Sequence, residues 1–337
     1  MPQAAIYGCA GLSVTEDERA FFRNADPWGF IVFARNIADP EQLRALTSEL
    51  CACVGRTAPV LIDQEGGRVA RLRPPHWRSA PAMSLFGKAY QDDRERGLDL
   101  ARRNARLLAA ELRAVGVTID CAPVLDTPQP GAHDIIGDRA LATDPDGVAA
   151  LGRAVMEGLL AGGVAPIVKH VPGHGRALAD SHLELPRVDA AKDDLIEIDF
   201  APFKALADAP MAMTAHVVYA AFDGAGPATT SETMVRDVIR GLIGFDGLLM
   251  TDDLSMKALG GPMAERVRAS LAAGCDLILH CNGDMTEMRE IADAAPALSG
   301  EAARRAQAAE RSIPAAVDPI AFAEEAAALD AALAAYA

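Results

Sequence analysis

Six cysteines in 337 residues are too few for a disulfide scaffold. No two of them form a C-x-x-C pair, so the usual frame of a structural zinc site is missing. Cys9, Cys51, Cys53, Cys121, Cys275 and Cys281 sit mostly in apolar stretches and read as reduced core thiols. Basic residues are also scarce: 32 Lys and Arg stand against 47 Asp and Glu, a formal net charge of −15. Nucleic-acid and anionic-membrane surfaces need clustered Lys and Arg, so neither partner is expected. No run approaches the ~20 apolar residues of a membrane span. The N-terminal MPQAAIYGCAGLSVTEDE has no basic region and no apolar stretch of signal-peptide length, so a cytoplasmic location is expected. There is no internal repeat, low-complexity tract or linker, and one domain over residues 1–337 fits better than two. With 50% hydrophobic and 23% charged residues the balance is globular. The expected partner is a small-molecule substrate, and the expected state is a monomer.

What is present is alternation. Short apolar runs bounded by Gly, Pro or Asp predict buried parallel strands at Ala4–Cys9, Gly29–Phe33, Val60–Asp63, Val117–Ala122, Ala165–Lys169, Met211–His216, Gly247–Thr251 and Asp276–His280. Three- and four-residue apolar spacing predicts helices at Pro40–Val54, Gly97–Val115, Pro145–Ala161, Lys192–Ala207, Ser231–Ile243 and Met263–Ala273. ADPEQL, TDPDGV and TTSETM supply N-terminal signals, and Gly55, Gly116, Gly162 and Gly274 supply ends. Residues 74–95 read as a long connection. Two Ala- and Glu-rich helices, about 300–312 and 320–336, are expected outside the strands. Eight strands alternating with helices predict an α/β fold, a single (β/α)8 TIM-type barrel with extra C-terminal helices.

A barrel carries its chemistry where strands end. Strand three ends in Asp63-Gln-Glu-Gly-Gly-Arg68, with Arg71 just beyond. Asp63 could accept from vicinal sugar hydroxyls, whereas Glu65 and Arg68 read as a salt bridge at the mouth. Strand four leads to Asp126 and then to Arg139, either a substrate grip or an ion pair with Asp138 or Asp144. Strand five ends in Lys169-His170 and runs into Pro172-Gly-His-Gly175 and Asp180-Ser-His182. The glycines suggest a loop that bends and moves. A carboxylate beside an imidazole orients it and raises its basicity, which suits an acid/base near neutrality. Strand seven delivers Asp252 and Asp253; the first is a candidate nucleophile or metal ligand, the second a helix cap. His174, His216 and His280 read as structural.

Three chemistries fit. A retaining glycosidase would use Asp252 as nucleophile and His182 as acid/base. A metal-dependent hydrolase would gather His170, His174, His182 and Asp252. A binding barrel would need only the polar mouth. Spacing does not separate the first two.

KHVPGHGRALADSH, DQEGGRVAR and TDDLSM, in order across residues 29–256, resemble the β-N-acetylglucosaminidases of glycoside hydrolase family 3. The family's usual pattern has Phe where Val171 stands, an apolar exchange. A second C-terminal domain found in some members is not expected. The resemblance implies Asp252 as nucleophile, His182 as acid/base and Asp180 as its partner. It implies Asp63, Arg71, Arg139, Lys169 and His170 as holders of the N-acetylglucosamine unit, with no metal and no cofactor. The implied reaction is hydrolysis, with retention, of terminal β-linked N-acetylglucosamine from cell-wall muropeptides during peptidoglycan recycling. Phosphorolysis on the same fold is the alternative, because a neutral imidazole repels phosphate less than a carboxylate does.

Overall fold

The computed structural model describes residues 1–177, 181 and 183–336. Its strands are β1 (Gln3–Gly8), β2 (Pro27–Val32), β3 (Val60–Ile62), β4 (Ile119–Asp120), β5 (Ala165–Val171), β6 (Arg187–Val188), β7 (Met211–Thr214), β8 (Val218–Tyr219), β9 (Leu248–Asp253) and β10 (Leu277–His280). Eight of these close into a barrel in the order β1, β2, β3, β4, β5, β7, β9, β10, back to β1, and every pairing is parallel. This is the expected (β/α)8 architecture, and each expected strand is one of the eight. β6 and β8 form a separate parallel pair.

The apolar runs have no polar face because both faces are buried. One set of strand side chains, among them Ile6, Leu61, Ile167, Met211, Leu248 and Leu277, belongs to a single apolar cluster. The alternate set, such as Tyr7, Val60, Ile62, Val168 and Leu249, packs with helix residues in a second cluster. Leu298, Ala306 and Ala309 belong to the first cluster, so the helix Gly300–Ser312 closes the end of the barrel at which the strands begin. The last helix, Phe322–Leu333, packs against Arg94–Ala114, where Arg103 pairs with Glu325 at 2.9 Å.

Local signals explain the helices. Asp39 and Asp144 each accept the backbone N–H three residues on, and a proline fills the first turn of Pro40–Val54 and Pro145–Ala161. Gly55 and Gly274 take left-handed φ values of 66° and 111° at helix ends. At the end of Pro145–Ala161 that conformation falls on Gly163, at φ 90°, rather than on Gly162. Three helices were not expected: Glu16–Ala25, Ser84–Asp92 and Met285–Ala294. The expected helix Lys192–Ala207 is broken into Lys192–Asp194, a π turn at Leu195–Asp199, and Ala201–Ala205. Pro202 has no N–H to continue the ladder, and the widened turn carries Asp199 to Arg176.

Candidate active site

The strand ends carry charged side chains to one mouth. Asp63 lies one residue past β3, Lys169 and His170 come just before the last residue of β5, and Asp252 is in β9. Arg71 sits in the loop after β3, and Arg139 closes the short turn Gly137–Arg139. All six line one cavity of about 380 Å³, together with Glu65, Arg68, His174, Ser181 and a few apolar side chains including Met213. That volume suits a small ligand.

The floor of the cavity is an ion-pair lattice. Lys169 Nζ lies 2.9 Å from Asp63 Oδ1 and 2.7 Å from Glu65 Oε1. Arg139 grips Glu65 with two bonds of 2.8 Å, and Arg71 donates to Asp63 Oδ2 at 3.2 Å. The Lys169 and Glu65 side chains are only 3% and 2% exposed, so neither charge is shared with water. Burial alone would raise the Asp63 carboxyl, but the charges of Lys169 and Arg71 outweigh it and hold it well below the ordinary carboxylate range. The same contest, with Lys169 and Arg139 as partners, brings Glu65 down to about 2. Burial would lower Lys169, but the two carboxylates push it well above the usual lysine value. The lattice is therefore fully charged at neutral pH. Lys169 has three N–H donors and commits two of them within the lattice, so one is left over among the described residues.

A second acid fixes the histidines. Asp126 is fully buried; its Oδ2 lies 2.7 Å from His170 Nδ1, and its Oδ1 accepts the backbone N–H of His170 and of His174. Burial would raise the Asp126 carboxyl, but His170 and His174 bring it to about 2. An ionised Asp126 makes His170 Nδ1 the donor, so its Nε2 is the ring atom left for a ligand. Burial lowers His174 to about 4, so it is neutral at pH 7, and its Nε2 meets Ser181 Oγ at 3.1 Å. Asp252 Oδ1 accepts the N–H of Asp253 at 2.8 Å.

The structure brings together Asp63, Arg71, Arg139, Lys169, His170 and Asp252 as the sequence suggested. Asp180 and His182 lie outside the described residues; Ser181, between them in sequence, lines the cavity. Other expectations need correction. Glu65 does not pair with Arg68: it joins Lys169 to Arg139, while Arg68 pairs with Asp138 at 3.1 Å and donates to the carbonyls of residues 134–136. Arg139 has neither Asp138 nor Asp144 as its partner. Asp253 caps no helix; it accepts from Ser255 N, Ser255 Oγ and Cys281 N, and the next helix begins only at Met263. The glycines after β5 serve close packing, since a Cβ on Gly175 would collide with the Thr127 carbonyl and one on Gly173 would crowd Asp199. That part of the loop is also pinned by Tyr219 Oη, which donates to Gly173 O at 2.7 Å, and by the Arg176–Asp199 pair at 2.6 Å. His216 is held between Thr229 and Asp253 O, and His280 bonds Glu287, so both are structural. Among the described residues no three His, Cys, Asp or Glu side chains are arranged to hold a metal ion.

Comparison with known proteins agrees with this geometry. Residues 10–314 match the model of the glycosyl hydrolase family 3 N terminal domain. A beta-hexosaminidase of Thiobacillus denitrificans is 44% identical over 281 residues, covering 81% of this chain and 76% of the relative. One from Bordetella avium is 40% identical over 285 residues, covering 83% and 81%. The crystal structure of NagZ from Neisseria gonorrhoeae in complex with N-trifluoroacetyl-D-glucosamine superimposes with a TM-score of 0.88 at 32% identity, covering 99% of this chain and 98% of that one. A closed barrel with acids and cations converging on one mouth, set among such relatives, is a glycoside hydrolase. The chain belongs to glycosyl hydrolase family 3.

Proposed function

We propose that the chain is a retaining β-N-acetylhexosaminidase that releases non-reducing terminal β-linked N-acetylglucosamine from muropeptides of the GlcNAc-1,6-anhydro-MurNAc type. The observation that carries this reading is the convergence of Asp252 with Asp63, Arg71, Arg139, Lys169 and His170 on one cavity. The N-acylglucosamine bound by the gonococcal neighbour supports an N-acetylhexosamine as the sugar. The proposed setting is cytoplasmic peptidoglycan recycling by a monomer; six thiols, all free, suit a reducing compartment.

In the proposed reaction the charged lattice receives the sugar. Asp63 accepts from its hydroxyls, while Lys169, Arg71 and Arg139 keep the carboxylates ionised and fixed. Asp252 attacks the anomeric carbon as the bond to the leaving oxygen breaks, and His182, held by Asp180, donates the proton to that oxygen. A glycosyl ester on Asp252 results. The neutral His182 then takes a proton from water, which attacks the anomeric carbon and frees Asp252, giving the sugar with retained configuration.

The test is release of p-nitrophenol from its β-N-acetylglucosaminide by wild type and Asp252→Ala, with and without EDTA, followed by product analysis in phosphate buffer. The reading expects activity that survives EDTA, is lost in the variant, and yields free sugar. Activity lost with EDTA would restore a metal reading. Sugar 1-phosphate as the product would make the enzyme a phosphorylase. An inactive wild type would overturn the assignment of the sugar.

A further inference from the structure

Beside the ion-pair lattice lies an acid that the proposed reaction does not use. Asp120, the second residue of β4, is fully buried. Its Oδ1 accepts the N–H of Gln64 at 2.9 Å, and its Oδ2 has no hydrogen-bond partner among the described residues. No cation pairs with it there; the Lys169 ammonium lies against Asp63 and Glu65 instead. Asp63 has Lys169 and Arg71 beside it and Glu65 has Lys169 and Arg139, whereas Asp120 has one backbone N–H; of three neighbouring buried acids the one with the fewest donors keeps its proton. Burial, reinforced by the charges of Asp63 and Glu65, accordingly pushes the Asp120 carboxyl well above the ordinary range.

The bond to Gln64 matters because Gln64 organises the loop after β3. Its Oε1 accepts from Arg71 N at 2.7 Å and Leu72 N at 3.0 Å, and its Nε2 donates to Leu72 O at 3.1 Å. Asp63 and Glu65 flank Gln64 in sequence and both face Lys169; Arg71, at the far end of the loop, returns to Asp63. Anchoring Gln64 N thus sets three cavity groups at once.

We propose that Asp120 is a positioning residue for the sugar-binding loop and works as an uncharged acid, anchoring Gln64 while leaving Lys169 wholly to Asp63 and Glu65. The role in sugar binding rests on the hexosaminidase reading. Asp120→Asn keeps the acceptor without a charge; Asp120→Leu keeps the approximate size and removes the acceptor. With an aryl β-N-acetylglucosaminide, Asp120→Asn is expected to keep kcat/KM within about twofold of wild type, and Asp120→Leu to lower it about tenfold or more, mainly through KM. Equal losses in both variants would overturn the uncharged role. An unimpaired Asp120→Leu would overturn the positioning role.

A second measurement needs neither activity nor a folded Leu variant. An acid that is protonated in the folded chain and ionises on unfolding makes wild type lose stability as pH rises, because the folded state binds the extra proton. The Tm of Asp120→Asn relative to wild type should therefore climb between about pH 5 and 8. A flat difference would overturn the proposal. If wild type cleaves no aryl N-acetylglucosaminide, the proposed activity fails, while the Tm series still reads the state of Asp120.

Discussion

Both ends of the barrel carry buried ion pairs, and they do different work. Where the strands begin, Arg240 donates to Asp276 Oδ2 at 2.8 Å and Arg305 to Asp276 Oδ1 at 3.2 Å, while Leu249 N adds a bond of 2.9 Å to Oδ2. These contacts tie the start of β10 to Arg305 on the Gly300–Ser312 helix, whose Ala306 and Ala309 join the barrel's interior cluster. Where the strands end, Lys169, Asp63, Glu65 and Arg139 make bonds as short, yet all four line a cavity. An arginine–carboxylate pair is therefore no sign of function by itself. What distinguishes the two ends is whether the charges converge on open space.

The largest expected effect comes from removing the proposed nucleophile. Asp252→Ala should lower kcat by roughly four orders of magnitude or more while leaving Tm near wild type, checked by single-substrate kinetics and calorimetry. One substitution at each end separates the two roles. Glu65→Gln and Asp276→Asn each strand buried cations, so each should cost about 3 kcal/mol in denaturant unfolding. Only Glu65→Gln should also raise KM, by about tenfold; a matching rise in Asp276→Asn would erase the distinction.

A smaller effect is the acid limb of stability. Glu65 is lowered to about 2 in the folded chain from an ordinary 4.5. Its contribution is present above the ordinary value and is lost as pH falls through the folded one, because the unfolded chain then binds protons that the folded chain does not. Stability should fall as pH drops from about 4.5 toward 2, and Glu65→Gln should make that limb shallower, with Asp63 and Asp126 still contributing to it, while Asp276→Asn should leave Glu65's share in place. The smallest effect is at the rim. Arg68→Ala frees the carbonyls of residues 134–136 and should raise KM by roughly two- to fivefold, read from initial rates.

The elements legible in the sequence were those with local signals. Asp39 with Pro40 and Asp144 with Pro145 marked helix starts to the residue. The helix Ser84–Asp92 has no side-chain cap, so nothing local announced it. Thr15 and Glu18 do form a capping box, a signal that would have marked Glu16–Ala25. At the site, Asp63, Lys169, His170 and Asp252 were legible because they end apolar runs. Glu65 and Asp126 were not, because what defines them is a partner far along the chain: Arg139, 74 residues on, and His170, 44 residues on. Nearness in sequence therefore misleads here: Glu65 pairs with Lys169 and Arg139, and Arg68, three residues away, pairs with Asp138.

Trapping the covalent intermediate would identify the nucleophile directly. The enzyme would be incubated with a slow 5-fluoro-β-N-acetylglucosaminyl fluoride, quenched and digested, and the labelled peptide sequenced by mass spectrometry. One sugar on Asp252 is expected. A label on another carboxylate, or complete turnover with inverted product and no label, would contradict it.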